Sequence, residues 1–204
     1  MKRRHFIPIT TLTTAAAFVT GSAFAEQDGK IGMTAADEWQ KLNRQAGAKL
    51  KAIQPTTDKL SEADLALMLK VAMGGMMQLA ISEAALTKAT SADVKMYAQA
   101  EVEEQTTLAA KLKEITKAKG MMLPAEVDEK TTKMIAKLNA KSGAEFDKMY
   151  LQEGGVDGHQ RLENIMKEVQ SHAADTTLKA VATTALPLIM AHLQAAREEM
   201  KAAG

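Results

Sequence analysis

Two histidines near the C-terminal end carry the strongest chemical signal in this 204-residue chain. His159 and His192 fall among apolar residues at helical spacing, where an imidazole needs a polar partner, whereas His172 falls near an expected turn. Glu83, Glu101 and Glu153 lie on apolar seams of their own segments, and Gln105, Tyr97 and Tyr150 add neutral polar groups nearby. Carboxylates and imidazoles converging inside a helical core supply the charge and lone pairs that one hard or borderline divalent metal ion requires. Glu83, Glu101, Glu153, His159 and His192 are therefore the candidate metal ligands. A competing expectation is a purely structural core, because a buried Glu–His pair, or Glu with two tyrosines, can satisfy its own hydrogen bonds. A dinuclear oxidase centre needs Glu-x-x-His on two helices, and Val156 and Ile189 stand where those glutamates belong. No nucleophile–base pair can be assembled either, so the reading leans away from an enzyme. Met76-Met77 and Met121-Met122 form no Met-x-x-Met ladder, and methionine is expected to fill the core.

Four long amphipathic helices must position these groups. The first is expected from a Ser61 cap to about Ala89, with Leu65, Leu69, Ala72, Met76, Leu79, Glu83 and Leu86 inward and Gly74-Gly75 requiring close approach of a neighbour. The second follows a short Thr90-Ser91 break and ends at Gly120, with Val94, Ala98, Glu101, Gln105, Leu108, Leu112 and Ile115 inward. The third runs from Ala144 to about Ser171 with Phe146, Met149, Tyr150, Glu153, Val156, His159, Leu162, Met166 and Val169 inward, interrupted by Gly154-Gly155. The fourth starts at an Asp175 cap and holds Leu178, Val181, Ala185, Leu188, His192 and Ala195, with Pro187 in its interior. Residues 121–143, with Pro124 and a short helix from about Asp128 to Lys141, can cover roughly 50 Å and read as a long crossover. That crossover makes the second and third helices parallel. Counting about 1.5 Å per residue from the shared end then puts Glu83, Glu101, Glu153 and His192 at roughly 10–15 Å, with Gln105 and His159 in a second layer at roughly 21–22 Å.

The remaining segments bound the setting. Lys2-Arg3-Arg4, a mildly apolar run and Ala23-Phe24-Ala25 read as a cleavable signal peptide over residues 1–25, with cleavage after Ala25 into the periplasm or medium. Arg3-Arg4-x-Phe6-Ile7 is similar to a twin-arginine signal, although Lys2 stands where Ser or Thr is usual. Beyond residue 25 no run approaches the roughly 18 apolar residues of a membrane span, so a soluble product without a transmembrane segment is expected. There is no cysteine, which removes disulfides from the account. Without the signal the basic count falls from 26 to 23 against 25 acids, a formal charge of −2, and nucleic acid is not an expected partner. Only Trp39, Tyr97, Phe146 and Tyr150 remain as aromatics, a composition suited to close-packed helices. Within residues 26–60, Thr34 to Ile53 reads as an amphipathic helix with a Thr34 cap and a stripe of Trp39, Leu42, Ala46, Leu50 and Ile53. It serves either as a flap docked on the bundle of residues 61–204 or as an arm for a protein partner.

Tyr97-Ala98 with Glu103-Glu104-Gln105, Gly120 with Leu123-Pro124, Phe146-Asp147-x-x-Tyr150 leading to His159, and Leu186-Pro187 with His192 together resemble the domain of unknown function 4142 family. The resemblance covers roughly residues 60 to 200 and implies an exported bacterial protein with a ferritin-like four-helix fold. It also implies ligand positions on the four helices at Glu83, Gln105, His159 and His192. Gln105 departs from the family's histidine there and is a much poorer ligand. The expectation is thus an all-α, ferritin-like bundle holding one divalent ion or a small polar ligand. The alternative is a non-catalytic stress-related or protein-interaction module.

Overall fold

The computed structural model describes residues 29–202, so the expected signal segment and its expected cleavage point lie outside the described residues. The described residues are mostly helical: α1 (Ala36–Ala52), α2 (Glu62–Lys88), α3 (Ala92–Ala118), α4 (Glu129–Asn139), α5 (Gly143–Tyr150), a π-helical segment (Leu151–Val156), α6 (Asp157–His172) and α7 (Thr176–Ala202). A two-residue antiparallel pair, β1 (Lys30–Ile31) and β2 (Thr34–Ala35), precedes α1. Thr34 is therefore a strand residue, and α1 starts from Ala35 without a side-chain cap, because the tight turn at Gly32 (φ 62°) pairs Thr34 with Ile31 instead.

The other boundaries follow from side chains that satisfy the free amides of a first helical turn. Ser61, Ser91, Asp128 and Asp175 accept from the N–H groups of Asp64, Val94, Thr131 and Leu178. At the end of α3 the N–H of Met121 reaches back to the Thr116 carbonyl at 2.8 Å, which requires the left-handed turn that Gly120 supplies (φ 69°).

Polar clamps fix the direction of the long helices. At one end Lys88 donates to the Asn139 carbonyl, and the N–H groups of Thr90 and Ser91 donate to Asp147. At the other, Asp64 accepts from the N–H groups of Ala174 and Asp175, while buried Lys119 pairs with Asp175 at 2.6 Å. Thus α3 and the run from α5 to α6 point the same way, and residues 119–143 cross from end to end. Around the core α2 packs on α3 and on α6, α6 packs on α7, and α7 packs on α3. α1 lies across α3 and α7, its C-terminal carbonyls at Lys51 and Ile53 held by the buried ammonium of Lys111.

Two features depart from a plain helical reading. By length and composition alone α2 is apolar enough to cross a membrane, with mean hydropathy 1.5 over its most apolar window, contrary to the expectation that no such run exists. It packs on α3 and α6 and turns Gln78 and Ser82 into the interior. The second feature is the π segment. In an unbroken α-helix Tyr150 and His159 would point about 180° apart at about 100° per residue, and one extra residue brings them to within about 80°. Gly154 and Gly155 permit this turn to pack closely: a Cβ at Gly154 would meet Ile81 Cδ1 at 2.6 Å, and one at Gly155 would meet Ala196 Cβ at 2.7 Å.

Candidate metal centre

Four side chains from three helices meet in the core. Glu101 and Glu104, three residues apart, share one face of α3, His159 comes from α6 immediately after the π segment, and His192 comes from α7. Glu101, His159 and His192 are fully buried and Glu104 is 4 % exposed. His159 Nε2 stands 2.8 Å from Glu101 Oε1, and His192 Nδ1 stands 3.1 Å from the same oxygen and 2.5 Å from Glu104 Oε2. One potential ligand atom from each of the four lies within 4.8 Å of the others.

The outer partners orient these groups. His159 Nδ1 faces the carbonyls of Gly155 (2.9 Å) and Gly154 (3.0 Å), which can only accept, so Nδ1 carries a proton and Nε2 is the atom turned to the carboxylates. Gln78 Nε2 also donates to Gly154 O, at 3.0 Å, and Tyr97 Oη lies 3.2 Å from His159 Nδ1. A backbone acceptor behind one imidazole nitrogen is the usual support for a metal-binding histidine. Burial disfavours the charged form of His159, but the Glu101 charge, with that of Glu104, outweighs it and lifts its pKa to about 9. Burial likewise opposes charge on Glu101, yet the two imidazoles hold its pKa below the ordinary carboxylate value. Tyr97 and Tyr150 are pushed well up, by burial first and then by the Glu101 charge, and remain neutral donors.

Close distances do not here mean satisfied bonds. Both Glu101 oxygens, Glu104 Oε2, His159 Nε2 and both His192 nitrogens are buried without a hydrogen bond of acceptable geometry. Buried polar atoms are nearly always paired, so several unpaired carboxylate oxygens and imidazole nitrogens facing one another form an arrangement that a cation can resolve. Two carboxylates and two neutral imidazoles also cancel the charge of one divalent ion, which suits a site with no access to water.

Of the expected ligands, Glu101, His159 and His192 come together, while Glu83 and Glu153 do not join them. Glu83 is exposed, because α2 is apolar on nearly every side and the face that packs inward carries Gln78, Ile81, Ser82 and Ala85. Glu153 is half-buried on the wall of an outer groove beside Lys70, Met77 and Arg161, because the π turn directs Gly154 and Gly155 inward in its place. His159 shares a layer with Glu101 and does not sit a turn deeper with Gln105, as its contact to Glu101 shows. Gln105 is buried and directs Nε2 to Glu104 Oε1 at 3.4 Å, and Tyr150 bonds Ser82 at 2.9 Å. Glu104 was hidden from the sequence by the Glu103-Glu104 pair, which reads as a solvated face, although its i, i+3 relation to Glu101 was the available signal. Trp39, whose ring stacks on His192 with centroids 4.7 Å apart, had no signal linking it to the site.

No curated protein and no solved structure matches the chain significantly. One family model does, from residue 33 to residue 198. That span takes in the strand pair's second half, α1, every clamp between the long helices and all four converging side chains, and by it the chain belongs to the family of the domain of unknown function DUF4142.

Proposed function

We propose that this is an exported protein whose helices form a ferritin-like four-helix bundle and hold one divalent metal ion between Glu101, Glu104, His159 and His192. The carrying observation is the convergence, from three helices, of buried carboxylate oxygens and imidazole nitrogens that lack a hydrogen bond of acceptable geometry. An N2O2 donor set of imidazole and carboxylate suits zinc, manganese or ferrous iron better than calcium or cuprous copper. Ligands of a tetrahedral ion with bonds of 2.0–2.2 Å stand about 3.3 Å apart, so the contacts of 2.5–3.1 Å need to open by less than about 1 Å. The cyclic packing of α2, α3, α7 and α6, with α3 parallel to α6, supports the bundle topology. Export rests on the Arg3-Arg4 segment and the Ala23-Phe24-Ala25 cleavage pattern. Residues 29–60 then form a flap and linker on the bundle of residues 61–202.

A second reading is favoured by one observation, the raised pKa of His159 beside Glu101. An imidazolium–carboxylate pair is itself a satisfactory buried contact, and it leaves the centre as a structural element of a non-catalytic interaction protein. Metal analysis of protein purified from its own compartment, followed by equilibrium dialysis with zinc, manganese and iron(II), decides between them. One ion per chain, lost in Glu104→Ala, is the expected result. Less than a tenth of an ion under every condition overturns the metal reading.

A further inference from the structure

The four converging residues are at most 4 % exposed, so no ion reaches them unless part of the fold moves. α1 is the element placed to do so. It packs on α3 and α7, the helices that carry Glu101, Glu104 and His192, and it joins α2 through a linker rather than a tight turn. Its hold on the body is apolar at Ala36, Trp39 and Leu50 and polar elsewhere, with Lys111 at its C-terminal end and three further bonds at and before its N-terminal half. Gly32 N–H donates to Glu199 Oε1 at 2.6 Å, Met33 N–H donates to Glu198 Oε2 at 2.8 Å, and Asn43 Nδ2 donates to the Ala100 carbonyl at 3.0 Å.

Trp39 is the point where this helix meets the centre. Its indole N–H is fixed on the Ile31 carbonyl at 2.9 Å, and its ring lies over His192 at 4.7 Å between centroids and 29° between planes. His192 Nε2 lacks the acceptor that usually stands behind a metal-bound imidazole. The plane of the His192 ring is therefore set by aromatic packing, with Trp39 on its face and Tyr97 edge-on at 5.7 Å.

We propose that Trp39 is the positioning residue for His192 and that α1 is the cover of the centre, so that an ion enters and leaves only when α1 lifts. This rests on the metal reading above. The test loads the full mature chain with cobalt(II), mixes it with excess EDTA and follows loss of the cobalt d–d absorption. Trp39→Ala is expected to release cobalt about 10–100-fold faster than wild type. Trp39→Phe, which keeps an aromatic face, should stay close to the wild-type rate, and Leu42→Ala, on the exposed side of the same helix, should match it. The double variant Glu198→Ala/Glu199→Ala keeps Trp39 and loosens the cover, so it too should release faster; it decides the matter if Trp39→Ala does not fold. A loaded, folded Trp39→Ala that releases at the wild-type rate overturns the proposal, as does an unchanged rate in the double variant. If the wild type takes up no cobalt, the metal reading fails separately, and the role of Trp39 is read in the metal-free chain. There the His192 Cε1 proton should resonate upfield in wild type and Trp39→Phe and move downfield in Trp39→Ala, and no difference between them overturns the positioning role.

Discussion

Raising the pH from 6 to 9 should tighten metal binding by about three orders of magnitude, because the ion must displace a proton from His159. The imidazole is held to a pKa of about 9 by Glu101 and Glu104, so below that value it is an imidazolium whose Nε2 has no lone pair to give. Displacing one proton makes affinity rise about tenfold per pH unit, which is about 4 kcal/mol across the interval, and flatten above 9. The metal-free chain behaves in the opposite sense. The folded-state pKa of His159 is raised above its ordinary 6.5, so its contribution of roughly 3 kcal/mol is fully present below 6.5 and is lost as pH rises through about 9. Glu101 is shifted the other way, so its contribution is present above its ordinary 4.5 and is lost as pH falls below that value. The metal-free protein should accordingly be most stable between about 4.5 and 6.5, and the loaded protein at higher pH. Competition titrations against a chelator of known protonation behaviour measure the affinity. Calorimetry in two buffers of different ionisation enthalpy counts the protons, expected to be one per ion at pH 7. A zinc affinity that is flat between pH 6 and 8.5, or uptake without proton release, would refute the placement of the proton on a ligand nitrogen.

Zinc at a hundred times its dissociation constant should stabilise the wild type by about 2.7 kcal/mol, an effect removed by EDTA and absent in His192→Ala but retained in Glu83→Gln. No zinc-dependent shift in the wild-type melt, with destabilisation in His192→Ala, would leave only the structural reading. Gly155→Ala should cost about 1–3 kcal/mol in denaturant unfolding, since the new methyl meets Ala196 Cβ at 2.7 Å; a neutral result would show that α7 yields there. Replacing Arg3 and Arg4 by lysine should block export through the twin-arginine route, and normal processing of that variant would assign the chain to the general secretory route.

The helix boundaries were legible because they rest on local chemistry: serine and aspartate caps at Ser61, Ser91, Asp128 and Asp175, and a left-handed glycine at Gly120. Glu101, His159 and His192 were legible because each is a polar residue on a seam with clear periodicity. Glu83 was misjudged for the converse reason: where a helix is apolar on nearly all sides, the pattern holds no preferred face, and tertiary packing alone selects Gln78 and Ser82. The misplacement of Glu153 comes from counting 3.6 residues per turn through a stretch that does not obey it. Contacts between distant segments, such as Trp39 on His192, depend on how the chain closes in three dimensions and leave no trace in spacing.

The π segment acts as a phase shifter between two helical reading frames. Upstream of it, Phe146 and Tyr150 follow one frame, and downstream His159, Leu162 and Met166 follow another. The six residues from Leu151 to Val156 bring the two into step. Deleting a single residue among them would let the whole run become an ordinary α-helix, which local propensity favours. His159 would then stand eight ordinary helical steps from Tyr150, about 80° round as it does across the π turn, and the imidazole would keep facing Glu101. Such a variant should keep both its helical circular dichroism and the centre. The count of residues between Tyr150 and His159 thus decides whether a π turn is needed to bring the imidazole to Glu101.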